Sequence, residues 1–451
     1  MGLFNPLLRG STLTAIFCDE RTLQGMLEFE AALAKAQAKC GAIPESAASV
    51  IAGECRAEKF DAEKLARSAA SAGNLAIPLV RQLTANVRQQ DEQAARYVHW
   101  GATSQDAIDT GMVLQIRDAL AAAENLLAQL TEVLAEQAES HQHSVMPGRT
   151  WMQHALPITF GLKLAGTLDA LLRWQERLQQ LKPRVLVLQL GGAAGTLASL
   201  KEQGEEIAQA LSLELELAQA DTPWHTQRDR FLEVAGWFAG VSSTLGKFAS
   251  DFALLMQTEV AEVGEPVAEG RGGSSTMPHK RNPVGCAAVL NAVTRIPGLM
   301  ATMYASQIQQ HERALGGWQA EWETLPELAM LAGGIMQTSL DLLNGMQVNT
   351  EKMRADLEMT HGLIMAESVT LALAQHIGKQ PAHHLVEQLC HRALDENVPL
   401  AQLLTQHPGI TPYLTAPEIE RLLDPQHATG SAESFIQCVL ERARQQQKGL
   451  S

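Results

Sequence analysis

The chain has 451 residues, 46% of them hydrophobic and 19% charged, and its 50 acidic against 35 basic residues give a formal net charge of −15. That length supports a large core or two to three domains, which excludes a small disulfide scaffold and a mostly disordered chain. The acidic balance repels a phosphate backbone and speaks against nucleic-acid binding, so an anionic ligand has to be met by a local cluster of basic groups.

The N-terminus, Met-Gly-Leu-Phe-Asn-Pro, lacks the basic-then-apolar layout of a secretory signal. From residue 19 to 39, Leu23, Met26, Leu27, Glu30 and Leu33 recur at three- and four-residue steps, which predicts a helix stopped by Gly41 and Pro44. A second helix carries Leu79, Leu83 and Val87. A third, from 109 to 139, carries Met112, Ile116, Leu120, Leu127, Leu130 and Leu134. Thr103 and Ser104 stand where they cap this helix near Asp106 and offer backbone N–H groups to a carboxylate. Pro157 is expected in the first turn of the next helix, where its missing N–H costs nothing. On such a helix His154, three residues past Trp151, lies nearer the same face than at two steps. One segment reads as extended, Arg184-Val-Leu-Val-Leu-Gln-Leu, ending in Gly191-Gly192.

Residues 228 to 262 make a run of about nine helical turns. Val234, Trp237, Phe238, Val241, Leu245, Phe248, Phe252 and Leu255 line one broad face of it. Another long run begins after Pro283, with Pro297 as an expected bend, and a third covers 323 to 343. Helices this long, and apolar over more than one face, need several neighbours and predict an all-α long-helix bundle. From residue 349, where Asn349 or Thr350 stands as a cap, shorter helices are broken at Gly378, Pro399, Pro408, Pro412, Pro417 and Pro425. The expected organisation is an N-terminal helical domain over 1–100, a central bundle over 101–348 and a C-terminal helical domain over 349–451.

Between two long apolar runs lies Glu269-Gly-Arg-Gly-Gly-Ser-Ser-Thr-Met-Pro-His-Lys-Arg-Asn-Pro283. Gly270, Gly272 and Gly273 relax the backbone; Ser274 and Ser275 add hydroxyls, Arg271, Lys280 and Arg281 positive charge, and Asn282 an amide. Pro283 suits the first turn of the following helix, whose positive end is expected to face the same region. A mobile loop over 264–283 that lowers a hydroxyl and cations onto an anionic ligand accounts for this composition. A solvated linker is the commoner fate of glycine-rich sequence but leaves the Met-Pro-His-Lys-Arg-Asn-Pro density unexplained. The Gly-x-x-x-x-Gly-Lys-Ser/Thr order of a phosphate-binding loop is absent.

The six cysteines are scattered without a Cys-x-x-Cys pair, which reads as free thiols of a cytoplasmic protein. No unbroken apolar run reaches the 18 residues of a membrane span, so no membrane partner is expected. Neither a His–Cys cluster nor paired-carboxylate spacing appears, and the expectation is chemistry with no cofactor and no metal. His141 and His143 read as surface histidines at a helix end. Gln189-Leu-Gly-Gly-Ala-Ala-Gly-Thr196 reads as a tight glycine turn, and Trp318 and Trp322 share a helical face.

Gly273-Ser-Ser-Thr-Met-Pro-His-Lys-Arg-Asn282 matches the signature Gly-Ser-Ser-x-Met-Pro-x-Lys-x-Asn, and on it the chain resembles the fumarase/aspartase superfamily. Two further blocks, His99-Trp-Gly-Ala-Thr-Ser-Gln-Asp106 and Gly148-Arg-Thr-Trp-Met-Gln-His-Ala-Leu-Pro-Ile-Thr-Phe-Gly161, extend the resemblance over essentially the whole chain. It implies a fumarase/aspartase-like all-α fold and a homotetramer with a core of twenty helices. It also implies active sites shared between three subunits, with addition or elimination alpha to a carboxylate. By the same resemblance Ser274 exchanges the proton alpha to a carboxylate, and His99 and Lys280 join it as catalytic candidates. Thr103, Ser104, Arg149, Thr150, Trp151, Gln153, Arg271, Asn282 and Arg313 are candidates for binding substrate.

Where fumarases and adenylosuccinate lyases carry a histidine after the threonine of the Gly148 block, this chain has Thr150-Trp151-Met152-Gln153. With His311-Glu-Arg-Ala-Leu-Gly-Gly-Trp-Gln-Ala-Glu-Trp322, that departure resembles the 3-carboxy-cis,cis-muconate cycloisomerases, a branch belonging to protocatechuate degradation by the beta-ketoadipate pathway. The implied substrate is a small tricarboxylate, interconverted with 4-carboxymuconolactone. In that reaction the substrate's own carboxylate is the nucleophile, which removes much of the entropic cost of bringing reactants together. A cationic clamp is still needed for the developing aci-carboxylate. The alternative is a fumarate-releasing lyase of the adenylosuccinate lyase type. A catalytically silent structural protein on this scaffold is disfavoured by the intact Ser274, Lys280 and Asn282.

Overall fold

The computed structural model describes residues 3–267, 272–273, 276–277 and 279–450, the side chains of the last two excepted. Ser274 and Arg271 lie outside the described residues. The chain is all-α, as its periodicity predicts. Its long helices are α1 (Asp19–Lys39), α2 (Ser104–Ser140), α3 (Phe160–Val185), α4 (Asp229–Leu255), α5 (Val284–Ala305) and α6 (Gly317–Gly345). α5 continues through Pro297 and α3 carries Pro183 near its end.

The segment from 145 to 159 is a correction. It forms an antiparallel hairpin, β1 (Val145–Thr150) against β2 (Gln153–Thr159), and α3 starts only at Phe160. Pro157 therefore sits in a strand opposite Pro147, and His154 has no helical face to share with Trp151. Residues 184 to 190 form no strand of a sheet; a single bridge joins Val187 to Ala218. A second small pairing joins β3 (Val263–Gly264) to β4 (Gln347–Val348). The cap at residue 349 is Asn349, whose side chain accepts from Lys352 N at 3.0 Å, an interaction worth about 1 kcal/mol.

Two compact units interleave along the chain. The first comprises Met1–Leu127, Trp174–Gly246 and Ala288–Thr338; the second comprises Ala128–Arg173, Lys247–Ala287 and Ser339–Ser451. In the first, Leu23, Leu27 and Leu33 of α1, Leu120 of α2, Phe238 of α4 and Leu328 of α6 are buried. Gly25 and Gly111 let α1 and α2 approach closely: a Cβ on Gly25 would stand 2.9 Å from the Gly111 carbonyl oxygen. In the second, the C-terminal helices bury Val369, Leu373, Val386, Leu389, Leu404 and Ile419 around one core.

Candidate active site

In the first unit the geometry converges on Asp106, on the first turn of α2 and fully buried. Its carboxylate accepts from Thr103 N at 3.0 Å, from Gly191 N and Gly192 N at 2.9 Å each, and from His225 Nε2 at 2.7 Å. A carboxylate has about four lone-pair sites, and these four donors fill them. Asp106 thereby fastens the helix start to the glycine turn, where Gly192 adopts the left-handed φ of +70°. The Thr103 N–H is thus taken up by a carboxylate of its own helix. Ser104 opens the helix and, like Thr103, is partly buried.

His99 approaches the same segment with φ +59°, a conformation unfavourable for a side chain with a Cβ. Its Nδ1 lies 2.6 Å from Glu30 Oε1 on α1, and Gln37 holds the next residue by donating to Trp100 O at 2.7 Å. Burial works against the imidazolium, but the charge and hydrogen bond of Glu30, aided by Asp106, outweigh it and hold the His99 pKa above the usual histidine range.

Arg313 is exposed, and its Nε donates to Gln105 Oε1 at 3.1 Å while Nη2 donates to Ala193 O at 3.2 Å. Gln105 is itself fixed, its Nε2 donating to Asp109 at 3.1 Å and to His225 O at 2.8 Å. Beneath it Arg228, fully buried, donates to both oxygens of Asp109 and both of Glu321. Trp318 Nε1 donates to Asp109 at 3.0 Å, and its ring meets Trp322 edge-on at 4.9 Å. Burial pushes the Glu321 carboxyl up to about 7 against the pull of Arg228, with the nearby Asp109 charge adding to the rise.

The second unit holds the remaining described candidates. Trp151 and Met152 form the two-residue turn of the hairpin with φ of +53° and +64°, the pattern of a type I′ turn that ordinarily takes Asn-Gly. Backbone strain of about 1–3 kcal/mol per such residue is held here to project Trp151, which is 98% exposed. Thr150 and Gln153 flank the turn as a strand pair and are exposed. Arg149 is bidentate to the buried Glu262 at 2.9 and 2.8 Å, so much of its charge is met within the protein. Burial, with help from Asp356, raises the Glu262 pKa despite Arg149. His154 titrates below the usual range, first through burial and then through the Arg149 charge, with Lys352 adding and Asp356 opposing, and so favours its neutral form.

The flanks of the glycine-rich loop are tied together: Asn282 N donates to Gly272 O at 2.8 Å, and Gly273 bridges to Arg281. Gly272 has φ +69°, and a Cβ there would come 2.8 Å from Asn282 O. Arg281 is anchored, donating to Gln347 Oε1 and to Glu265 O at 3.2 Å each. Lys280 is exposed and Asn282 partly buried. At the positive end of α5, Glu265 of the 264–283 segment accepts from Gly285 N and Cys286 N at 3.0 and 2.9 Å. A carboxylate on these N–H groups is what the helix dipole favours.

The structure thus brings Thr103, Ser104 and Arg313 around the Asp106 hub and seats His99 on Glu30, all in the first unit. Arg149, Thr150, Trp151, Gln153, Lys280 and Asn282 lie in the second. Among the described residues no group of three or more His, Cys, Asp or Glu side chains is placed to hold a metal. Sequence reasoning missed Glu30, Asp106, Asp109, His225, Arg228, Glu262 and Glu321 as parts of these networks. For Glu30, Asp109 and Glu321 the available signal was charge at positions that helical periodicity buries; His225, Arg228 and Glu262 lie outside the helices.

The chain matches the family model described as "Lyase" over residues 9–298 and that described as "Adenylosuccinate lyase C-terminus" over 362–439. It is 52% identical to a 3-carboxy-cis,cis-muconate cycloisomerase of Pseudomonas aeruginosa over 97% of this chain and 95% of that one. It is 48% identical to the enzyme of that name from Acinetobacter baylyi over 99% of both chains. The crystal structure of a 3-carboxy-cis,cis-muconate lactonizing enzyme from Pseudomonas putida superposes with a TM-score of 0.95, at 47% identity over 98% of this chain and 99% of that one.

Proposed function

This chain belongs to the lyase family, and from that membership and the site above we infer that it is a 3-carboxy-cis,cis-muconate cycloisomerase. It interconverts the open carboxylated diene with 4-carboxymuconolactone in protocatechuate degradation. The observation that carries this over a fumarate-releasing lyase is Trp151, held on a strained hairpin tip at the position where the lyase blocks carry a histidine. Lactonisation has no leaving group to protonate. One carboxylate oxygen of the substrate bonds to an alkene carbon, and the other alkene carbon, alpha to a second carboxylate, takes a proton. No oxidant, reductant or second reactant is required, and the intramolecular geometry supplies the nucleophile.

In this reading Ser274 exchanges the proton, and Lys280 and Asn282 hold the aci-carboxylate that forms as the ring closes or opens. Arg313, seated on Gln105, and Arg271 meet the other carboxylates, with Thr103, Ser104, Thr150 and Gln153 completing the binding surface. Arg149 contributes mainly by bracing the hairpin through Glu262, because that carboxylate already takes both arms of its guanidinium. A free serine is a poor acid or base in water, so Ser274 depends on a loop that closes, brings cations near and excludes solvent.

The protein is read as a homotetramer with each site drawn from three subunits. Support comes from α5, the helix among the described residues that is long and apolar enough to cross a membrane, of whose apolar window 33% is buried within the chain. Arg295 on this helix is ion-paired to Glu327, which suits packing against protein more than lipid. None of the six cysteines is joined in a disulfide, which accords with a cytoplasmic location.

Incubation with 3-carboxy-cis,cis-muconate is expected to remove the ultraviolet absorbance of the conjugated diene and yield the lactone by proton NMR. Adenylosuccinate and argininosuccinate are expected to release no fumarate. Unchanged muconate, or fumarate from either succinyl compound, overturns the assignment.

A further inference from the structure

Glu30 is 1% exposed and sits on the buried stripe of α1, among Met26, Leu27 and Leu33. A carboxylate in such a place needs a counter-charge or full hydrogen bonding. It has neither beyond one neighbour: Oε1 lies 2.6 Å from His99 Nδ1, and Oε2 is buried with no partner among the described residues. The arrangement is asymmetric, since the histidine is partly open while the carboxylate behind it is sealed off. His99 is also held in a left-handed backbone conformation, and the adjoining Trp100 carbonyl is tied down by the buried Gln37. The left-handed φ of His99, uncommon for a residue with a Cβ, coincides with the seating of its imidazole on this carboxylate.

We propose that Glu30 is a positioning residue of the active site: it fixes the orientation of the His99 ring by holding Nδ1, so that Nε2–H is presented to a substrate carboxylate. The proposal rests on the cycloisomerase reading for the identity of that ligand, but the dyad itself is independent of it. With Nδ1 taken up by Glu30, Nε2 is the nitrogen left for a ligand, as when a second partner of a histidine sets which nitrogen acts. The charged groups facing the pair are few. Asp106 on α2 favours the imidazolium, as Glu30 does. On the other side of Glu30 lies the buried Cys55 thiol, whose pKa is raised first by burial and then by the Glu30 and Glu54 charges, with Lys59 opposing. No member of this set opposes a positive charge on His99 except the burial of the ring itself.

The consequence is directional. A histidine whose folded pKa is raised contributes stability that is complete below the unfolded pKa and is lost as pH rises through the folded value. Binding of an anion at Nε2 follows the same dependence, full at acidic pH and declining on the basic side. Glu30→Gln keeps the size and one hydrogen-bonding oxygen but removes the charge, so His99 becomes neutral at lower pH than in the wild type.

The test uses the full-length protein with 13C-labelled histidine, His99→Gln identifying the His99 resonance. In the wild type the His99 titration is expected above that of an ordinary exposed histidine, and in Glu30→Gln below it. The pH profile of kcat/KM on the muconate is expected to lose its basic side. The fall should be about tenfold or more near pH 8 and at most about threefold near pH 6, following the tenfold that accompanies each unit of altered protonation. A merely structural role would lower activity equally at both pH values. Equal losses, or a wild-type His99 that titrates at or below the ordinary range, overturn the proposal. The wild-type titration decides the point even where the variant fails to fold. Absence of muconate turnover with a normal dyad titration counts against the cycloisomerase reading and leaves the Glu30–His99 pair standing.

Discussion

Ser274→Ala is expected to lower kcat on 3-carboxy-cis,cis-muconate by about 10²–10⁴-fold, the range that a positioned proton-transfer group supplies. KM should change little, because the carboxylate-holding groups remain. The melting temperature should stay within about a degree of the wild type, since a loop hydroxyl buries little apolar area. The combination matters more than either number. A Ser274→Ala variant that lost stability and kept turnover intact would identify Ser274 as a structural residue of the loop. A kcat within about threefold of the wild type would move the proton to another group, and with it the catalytic role of the signature Gly273-Ser-Ser-Thr-Met-Pro.

Arg228→Met carries the largest expected loss of stability. Arg228 is the shared counter-charge of two buried carboxylates, Asp109 and Glu321, and its guanidinium lies over the rings of Phe231 and Trp224 at 4.7 and 5.1 Å. Methionine fills much of the volume but leaves both acids without a cation, a change that typically costs about 3–5 kcal/mol. The loss should depend on pH with a definite sign. Burial has already pushed Glu321 up to about 7, and removing Arg228 raises it further. A carboxyl with a raised folded pKa weighs against the fold when ionised and ceases to do so as it takes up a proton. Urea midpoints measured across pH should therefore show the largest deficit above pH of about 7 and a smaller one on acidification. A deficit that is constant with pH would mean that the cavity, not the stranded charge, dominates. Activity should fall alongside stability, because Asp109 holds Gln105, and Gln105 holds Arg313.

The helical architecture could be read from the chain because its signal is local. The stripe on α1 is complete within one segment, and the predicted limits of 19 and 39 are those observed. The hairpin at 145–159 escaped because its strands carry Pro147, Gly148 and Pro157, residues that weaken a strand signal, and because Trp151-Met152 occupies a turn that normally announces itself as Asn-Gly. Its register is held by pairing and by the Arg149–Glu262 contact, across 113 residues of sequence. The helix start near Thr103 was visible as a cap pattern, yet the actual cap is Asp106 reaching back to Thr103 N, with the glycine turn 85 residues away supplying two further donors.

The same contrast holds at the site. Lys280, Asn282 and Ser274 stand out through a contiguous motif, whereas Glu30 appeared merely as one member of an apolar stripe. An acidic side chain at a buried helical position requires a partner, but nothing local says that the partner is His99, 69 residues on. Asp109, Arg228 and Glu321 repeat the case across three distant segments of the chain. Burial and pairing over long sequence separations are set by packing, and it is there that single-segment patterns stop being informative.

The proposed function rests on a cation-bearing loop that lowers onto a polyanionic alkene and steadies its electron-rich carboxylate. A crystal structure of the assembled protein with a bound tricarboxylate analogue tests it most directly. Lys280 and Asn282 are expected within hydrogen-bonding distance of one carboxylate, Ser274 beside the carbon alpha to it, and His99 and Arg313 on the remaining carboxylates. An analogue bound away from the glycine-rich loop, with Ser274, Lys280 and Asn282 all facing solvent, would contradict it.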